Sequence, residues 1–441
     1  MKLGGWGRYP LRETRLLVPR DEEELAAILR REECLIARGA GRAYGDAAIS
    51  PGVTLGLQRF NRMCAFDADT GRLVAEAGVT LEEILDTFLP RGWFPAVTPG
   101  TKYVTLGGMI AADVHGKNHH RDGSFASCVD WIEVMETDGT VQRLSRTQHP
   151  ERFAWTLGGM GLTGLVLRAA IRLRPIETAW IRQTTIPAPN LEAAMQAFEE
   201  YDAATYSVAW IDCLGQGERL GRSLVMLGEH ARRDELPPDH AGRPLCAPLR
   251  PKRHVPFDLP SSLLNRHSVA AFNDLYYALG ERSRGERLVD WDRYFYPLDA
   301  ILGWNRIYGR RGFVQFQCAL PHEHARDGLT ALLQATARAG AGSFLAVLKR
   351  FGATPGGTFS FPLPGYTLAL DFPVTPDTLE LLETLDRITL EHGGRFYLAK
   401  DARLTAKTLH AADERAATLR AFRQDARLTR FTSYLSRRLS L

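Results

Sequence analysis

The sequence predicts a two-domain chain of mixed α/β or α+β character, and three observations carry that reading. Its 441 residues exceed what one ordinary core organises. Short β-like runs alternate with helix-like ones from Arg15 to about Arg174. The texture then changes after "RLRPIE", near Glu177, where a fresh series of strands and helices begins.

In chain order, "RLLVP" reads as a strand, "DEEELAAILRR" as a helix and "CLIARG" as a strand. "MCAFDADTGRLVAEAG" reads as two strands turning at Asp69, Thr70 and Gly71, and "VTLEEILDTFLP" as a helix with Thr80 and Glu83 at capping-box spacing. "VDWIEVMETDGTVQRL" is a second hairpin, turning at Asp138 and Gly139. Beyond Glu177 come a strand through Ile181 to Ile186, the helix "NLEAAMQAFEEYDA", and strands near Tyr206 to Asp212 and Ser223 to Leu227. Proline recurs too often between Asp234 and Ser262 for regular structure, which predicts a long mobile loop. Strands resume at "FVQFQCALP", "FLAVLKRFG", "YTLALDFPV" and "RFYLAKDAR", and an Arg-rich helical tail ends the chain.

With 45% hydrophobic and 24% charged residues, the composition is that of an ordinary folded protein rather than a disordered or fibrous one. A net charge of +4 does not call for nucleic acid as a partner. The six cysteines stand apart, without a CxxC pair, and read as reduced structural thiols. No apolar run reaches the roughly 20 residues of a membrane span, and the first residues lack the apolar core of a signal peptide, so the sequence predicts a cytoplasmic protein.

Three glycine-rich stretches carry the chemistry. "ARGAGRAYGD", Ala37 to Asp46, follows a strand and sets Gly39, Gly41 and Gly45 where successive N–H groups can face one concavity and hold a pyrophosphate. "TPGTKYVTLGGMIAADVHGKNHH" removes side chains at Gly107 and Gly108 and stays slim at Ala111 and Ala112. Two such stretches suggest a long, phosphate-bearing ligand lying on backbone. "GGMGLTG" satisfies G-x-G-x-x-G with Gly159, Gly161 and Gly164, but it follows a helix-like run and precedes a strand, the reverse of a dinucleotide fold.

The run "DVHGKNHH" invites a metal site, but no companion cluster of ligands accompanies it and Lys117 stands within it, so the expectation is no metal. His115 closes the slim segment and points inward, whereas His119 and His120 hold the loop. In "RFYLAKDAR" strict alternation would put Lys400 on one face with Phe396 and Leu398.

These motifs, with "GSF", "GWNRIYG", "SFPLPGY" and "YLAKDAR", resemble in order and spacing the decaprenylphosphoryl-β-D-ribose 2′-oxidase family of vanillyl-alcohol-oxidase-type FAD oxidoreductases. The resemblance covers nearly the whole chain. It implies an α+β, two-domain fold: an FAD-binding domain over residues 1–178, completed by 395–441, and a substrate-binding domain over 179–394 on an antiparallel sheet. FAD would contact Ala37, Arg38, Gly39, Ala40, Gly41 and Tyr44, then Gly100, Thr101, Thr105, Gly107, Gly108, Ala111, Val114, His115 and Ser124, and finally Val166, Tyr397 and Lys400. Wider relatives often attach flavin through a histidine in the first glycine loop. Arg42 stands at that place, so noncovalent FAD is expected.

The implied activity is oxidation of the 2′-hydroxyl of a polyprenylphosphoryl-β-D-ribose to the ketone, the first half of epimerisation to the arabinose form. A soluble alditol, aldonolactone or nucleotide sugar is the alternative. Lys400, His115 and Tyr44 are the catalytic candidates, and Gln315, Gln317, Lys117, Tyr296 and Thr367 the substrate-binding ones. The implied partners are the lipid-linked sugar phosphate and a separate keto-reductase. Peripheral membrane contact would come through the basic run Arg243 to Arg253 or through the tail, where nine Lys/Arg face four Asp/Glu from Asp401 to Leu441. Mycobacterial members carry Cys where this chain has Ala369, Asn where it has Thr367, and Tyr-His at Phe295-Tyr296.

Overall fold

A computed structural model describes residues 1–441 except 249, 261, 262, 354 and 355. The strands Arg15–Leu17, Leu35–Arg38 and Val53–Gly56 form a small parallel sheet, with Val53–Gly56 in the middle. The helix Glu22–Arg31 covers it: Asp21 caps its N-terminus, three glutamates fill its first turn, two arginines its last, and Leu25, Ile28 and Leu29 face inward. Both hairpins form as the sequence predicts. Met63–Asp67 pairs with Arg72–Glu76 and Val129–Met135 with Val141–Ser145; the strand Leu165–Pro175 joins the two pairs, and Trp93–Pro95 pairs with its end to complete a six-stranded antiparallel sheet. Thr80 and Glu83 close the expected capping box on the helix Leu81–Phe88, whose buried face of Leu81, Ile84, Leu85 and Phe88 packs on that sheet.

The second half is built on an eight-stranded sheet in the order Gly285–Asp290, Trp180–Ala188, Ser223–His230, Tyr206–Ile211, Ala346–Phe351, Gly365–Pro373, Phe313–Pro321 and Arg395–Phe396. Alternation divides its two faces. Phe316, Cys318, Leu348, Leu368 and Leu370 enter the core beneath the helices Leu191–Glu200, His322–Arg338 and Pro376–Glu391. The intervening residues Gln315, Gln317, Val347, Lys349, Thr367 and Ala369 turn the other way. The mixture of helices with largely antiparallel sheets is α+β.

Two expectations need correction. The last strand ends at Phe396, because the chain turns there: Lys400 N donates to Tyr397 O at 3.0 Å and Asp401 N to Leu398 O at 3.2 Å. Only part of the Arg-rich tail is a free basic surface: Lys407, Arg420, Arg427 and Arg437 are exposed, whereas other arginines turn inward. Arg423 is 3% exposed and donates to the carbonyls of Leu162 and Phe431, while Arg430 caps the carbonyls of Leu29 and Glu32. Phe431 and Leu428 join the core around Leu25, Leu29 and Leu35, so the tail closes the N-terminal half from beneath. Of the basic run Arg243 to Arg253, Arg250 donates to the carbonyls of Asp292, Tyr296 and Pro297, and Lys252 pairs with Glu82. The Pro-rich stretch from Asp234 to Ser262 contains a short helix, Pro238–Ala241, and a two-residue strand, Arg253–His254; its residues 249, 261 and 262 lie outside the described residues.

Candidate active site

The chain leaves the strand Leu35–Arg38 into the first glycine loop, where space is tight. A Cβ on Gly39 would stand 2.0 Å from Thr105 Oγ1, and Gly41 sits at φ +66°. The N–H groups of Gly39, Ala40 and Gly41 donate to no other protein group among the described residues. Thr105 caps the helix Leu106–Ala111, accepting from Gly108 N at 3.3 Å. A Cβ on Gly107 would lie 2.9 Å from the Ala77 Cβ, so this helix approaches the sheet through its glycines. Gly161 and Gly164 come from the third stretch. All three stretches line one cavity of about 310 Å³.

The opposite wall is the inward face of the eight-stranded sheet, with Gln315, Gln317, Val347, Lys349, Thr367 and Ala369, together with the turn that carries Tyr397, Ala399 and Lys400. Lys400 reaches the cavity, but in company other than alternation predicts. Phe396 and Leu398 enter the helix-covered core, while Tyr397 and Ala399 share the cavity with the lysine. Tyr44 N donates to Ala399 O at 2.9 Å, and a Cβ on Gly45 would collide with Asp401 O, so the first glycine loop and the Lys400 turn touch directly. Arg438 locks the junction, donating to Asp401 at 2.8 Å and to Asp46 at 2.9 Å, while Arg12 adds a bond to Asp46 at 3.1 Å.

Burial governs the electrostatics here. It pulls Lys400 down, a tendency that Asp371 opposes and Lys349 reinforces. Burial pushes Asp371 up, against the hydrogen bond from Gln315 Nε2 and the charge of Lys400; its Oδ2 has no partner among the described residues. Each member of this pair favours the charged form of the other, against the burial that opposes both charges. Lys349, lowered to about 8 by burial, forms no ion pair or hydrogen bond among the described residues. His115 is driven well below its ordinary value by burial, then by Lys349, His119 and Lys400, and is therefore neutral. Its Nε2 accepts from Gln317 Nε2 at 3.2 Å, which occupies the ring's lone pair. The same amide donates to Thr367 Oγ1 at 3.2 Å.

The loop bearing His115 is fixed by Asp113, which is fully buried and accepts from Ser124 Oγ and Ala126 N at 2.7 Å, and also from Gly357 N and Ser360 Oγ. His119 Nδ1 accepts from Gly352 N and His120 Nε2 bonds Ala204 O, so both histidines serve the loop.

The cavity gathers Ala37, Gly39, Ala40, Gly41 and Tyr44 from the first stretch, and Gly100, Thr101, Thr105, Gly107, Gly108, Ala111, Val114 and His115 from the second. Val166, Gln315, Gln317, Thr367, Tyr397 and Lys400 complete the set that sequence reasoning placed there. Four residues do not line it. Arg38 donates to Gly4 O at 2.9 Å, its guanidinium beside Gly41. Ser124 is spent on Asp113. Lys117 donates to the Tyr294 carbonyl and rests 4.1 Å from the centroid of the Tyr294 ring, away from the cavity that His115 lines. Tyr296 is fully buried with its hydroxyl on Thr98. Lys349 and Asp371 were missed. The alternation of "FLAVLKRFG" puts Leu345, Val347 and Lys349 on one face, and that of "LALDFP" puts Asp371 in phase with Ala369, so both signals were present. Arg42 lies between the rings of Trp6, at 4.2 Å, and Tyr103, at 5.1 Å.

A free-donor glycine loop, a slim helix and a cation-bearing wall around one cavity suit a long ligand with phosphates at one end and a ring near Lys400, which is the shape and charge of FAD. Comparison with known proteins agrees. Residues 14–145 match a family described as the FAD binding domain. The chain is 36% identical to decaprenylphosphoryl-beta-D-ribose oxidase of Mycolicibacterium smegmatis over 419 residues, which is 93% of this chain and 91% of that protein. It is 35% identical over 376 residues to a Streptomyces coelicolor protein of unassigned activity, covering 82% of this chain and all of that one. L-gulonolactone oxidase of Mus musculus is 23% identical over 37% of this chain and 38% of its own length. The chain is an FAD-dependent oxidoreductase and belongs to the decaprenylphosphoryl-β-D-ribose oxidase family.

Proposed function

We propose that the enzyme oxidises the 2′-hydroxyl of a polyprenylphosphoryl-β-D-ribose to the 2′-ketone, the first half of conversion to the arabinose form. Similarity to the mycobacterial oxidase along nearly the whole chain supports this reading. The observation that carries it is the wall facing the glycine loops, where Lys400, Lys349, Gln317 and Thr367 converge on the cavity. Gln317 and Thr367 are suited to ribose hydroxyls. Lys349, an ammonium without a partner among the described residues, suits the phosphate that joins sugar to lipid.

FAD is held on the backbone of residues 39–41, against Thr105, Gly107, Gly108 and Val166, with residues 1–178 and 395–441 forming its domain and 179–394 covering the sugar. When bound, it would accept a hydride, one proton with two electrons, from the carbinol carbon. Arg42 is no nucleophile toward the flavin, so the cofactor is bound noncovalently; acid precipitation releases the yellow colour into the supernatant, and colour left in the pellet contradicts this.

The hydroxyl proton goes to Lys400. His115 is unsuited, because its lone pair already accepts from Gln317, and it serves instead to orient that amide. Tyr44 is held protonated by burial and by Asp371. Lys400 has a depressed pKa, and the charge of Asp371 steadies the ammonium that forms. A separate keto-reductase completes the epimerisation. Among the described residues no helix is long and apolar enough to cross a membrane. A lipid-linked substrate calls for peripheral contact with the membrane that holds it. Anaerobic bleaching of the flavin band tests the reading: polyprenylphosphoryl ribose bleaches it, whereas free alditols and aldonolactones do not. The reverse pattern replaces it with the soluble-substrate alternative.

A further inference from the structure

Eleven large hydrophobic side chains are exposed among the described residues, and six of them fall between positions 257 and 302: Phe257, Leu263, Leu275, Tyr276, Leu279 and Leu302. Such concentration in one stretch is not the random scatter of an ordinary surface. The helix Arg266–Arg282 shows how it arises. Val269 and Asn273 face inward, with Asn273 Nδ2 on Asp212 Oδ1 at 2.7 Å. Ala271, Leu275 and Leu279 recur at every fourth position on an exposed stripe that ends at Arg282; Leu275 is 60% exposed.

This apolar surface adjoins the cavity. Phe272 lies 5.1 Å from Phe344, the neighbour of the cavity-lining Leu345. Leu264, beside the exposed Leu263, packs against the cluster containing Tyr44 and Trp304, both cavity residues. Phe257 sits in the loop whose Val255 and Pro256 carbonyls accept from Arg306, inside the short helix that begins at Trp304.

Charge sets the identity of what covers it. Arg253, Arg266, Arg282, Arg284 and Arg287 are exposed and form no ion pair among the described residues. The nearby acids are mostly occupied: Asp258 by Arg8 and Arg306, Asp274 by Arg222, and Glu286 by Arg182, which leaves Glu281. A second copy docked by the same face would set these arginines against one another. An anionic lipid surface instead offers an acyl boundary for the leucines and phosphates for the arginines.

We propose that the face formed by the helix Arg266–Arg282 with Phe257 and Leu263 is a docking surface for an anionic bilayer, so that the cavity receives its substrate from the membrane plane. This rests on the lipid-linked substrate proposed above.

The test is co-sedimentation of the FAD-loaded enzyme with vesicles of phosphatidylcholine alone or mixed with phosphatidylglycerol. Binding to the anionic vesicles, weakened by salt, is expected. Leu275→Glu/Leu279→Glu should weaken it about tenfold or more, as should Arg282→Glu/Arg284→Glu, while flavin reduction by a short-chain, water-soluble phosphoryl ribose stays unchanged in both. Absence of vesicle binding by the unaltered enzyme overturns the proposal, even where detergent-dispersed substrate is oxidised. So does binding that both double variants retain, or a self-association or capture of an acidic protein that the variants abolish while vesicle binding persists. An enzyme that binds vesicles through this face but is not reduced by any phosphoryl ribose leaves the surface standing and removes the substrate assignment instead.

Discussion

Lys400 Nζ lies 3.7 Å from the centroid of the Tyr44 ring, joining the first glycine loop to a turn near the other end of the chain. The contact stabilises the ammonium against the burial that pulls it toward neutrality. Lys400→Met removes the proton acceptor but keeps the side chain's length. The variant should stay yellow and lose flavin reduction by about 100-fold or more; full turnover with bound flavin would end the assignment.

Asp371 sets the acid side of the rate profile. A lysine that accepts a proton must arrive unprotonated, so flavin reduction slows as pH falls through its pKa, which burial holds below the ordinary lysine value. Asp371 raises that value, and Asp371→Asn withdraws the raising charge. The acid limb should then move to lower pH in rapid-mixing reduction measured across pH. A limb that stays in place assigns the proton to another group.

Arg438 serves two carboxylates at once. Burial alone would raise Asp401, but Arg438 and the N–H groups of Arg403 and Leu404 outweigh it and hold the carboxyl below its usual range. A depressed carboxylate stabilises the fold above its unfolded value of about 4, and that contribution is lost as pH falls through the folded value. Arg438→Met leaves Asp46 and Asp401 buried without this partner, a change of about 3–5 kcal/mol at neutral pH. Thermal melts should show a lower midpoint for the variant at pH 7 and a smaller difference from the parent under acid.

Ala369 faces the cavity where a thiol would otherwise stand, while Cys128, Cys213 and Cys318 are buried elsewhere. Thiol-directed nitroaromatic compounds should therefore leave turnover intact, and intact-mass measurement should find no adduct at the cavity. Ala369→Cys should acquire both the adduct and the inactivation.

The parts of the site that depend on backbone were readable from residue type. Glycines at 39, 107 and 108 mark close approach wherever the chain goes, and Thr80 with Glu83 fixes a helix start locally. Side-chain placements that depend on where a strand stops were less so. Alternation groups Lys400 with Phe396 and Leu398, but it ends four residues earlier, at Phe396, and the lysine reaches the cavity that the family resemblance implies through a turn. Lys117 and Tyr296 failed for a related reason: the docking of Lys117 on Tyr294 and the packing of Tyr296 onto Thr98 are tertiary events with no local signature. Lys349 and Asp371 were legible by the same period-two rule, each in a strand correctly recognised, and became conspicuous only once the face they share was known to be polar and enclosed.

The C-terminal tail has a consequence for how the enzyme matures. Phe431 completes the core around Leu35, and Arg438 pins the loop that begins the cofactor cradle. Synthesis runs from the N-terminus, so the first half emerges with its pyrophosphate loop lacking this tie until Arg438 itself has been made. A polypeptide that stops short of Arg438 presents the cradle without the bonds that join Asp46 to Asp401.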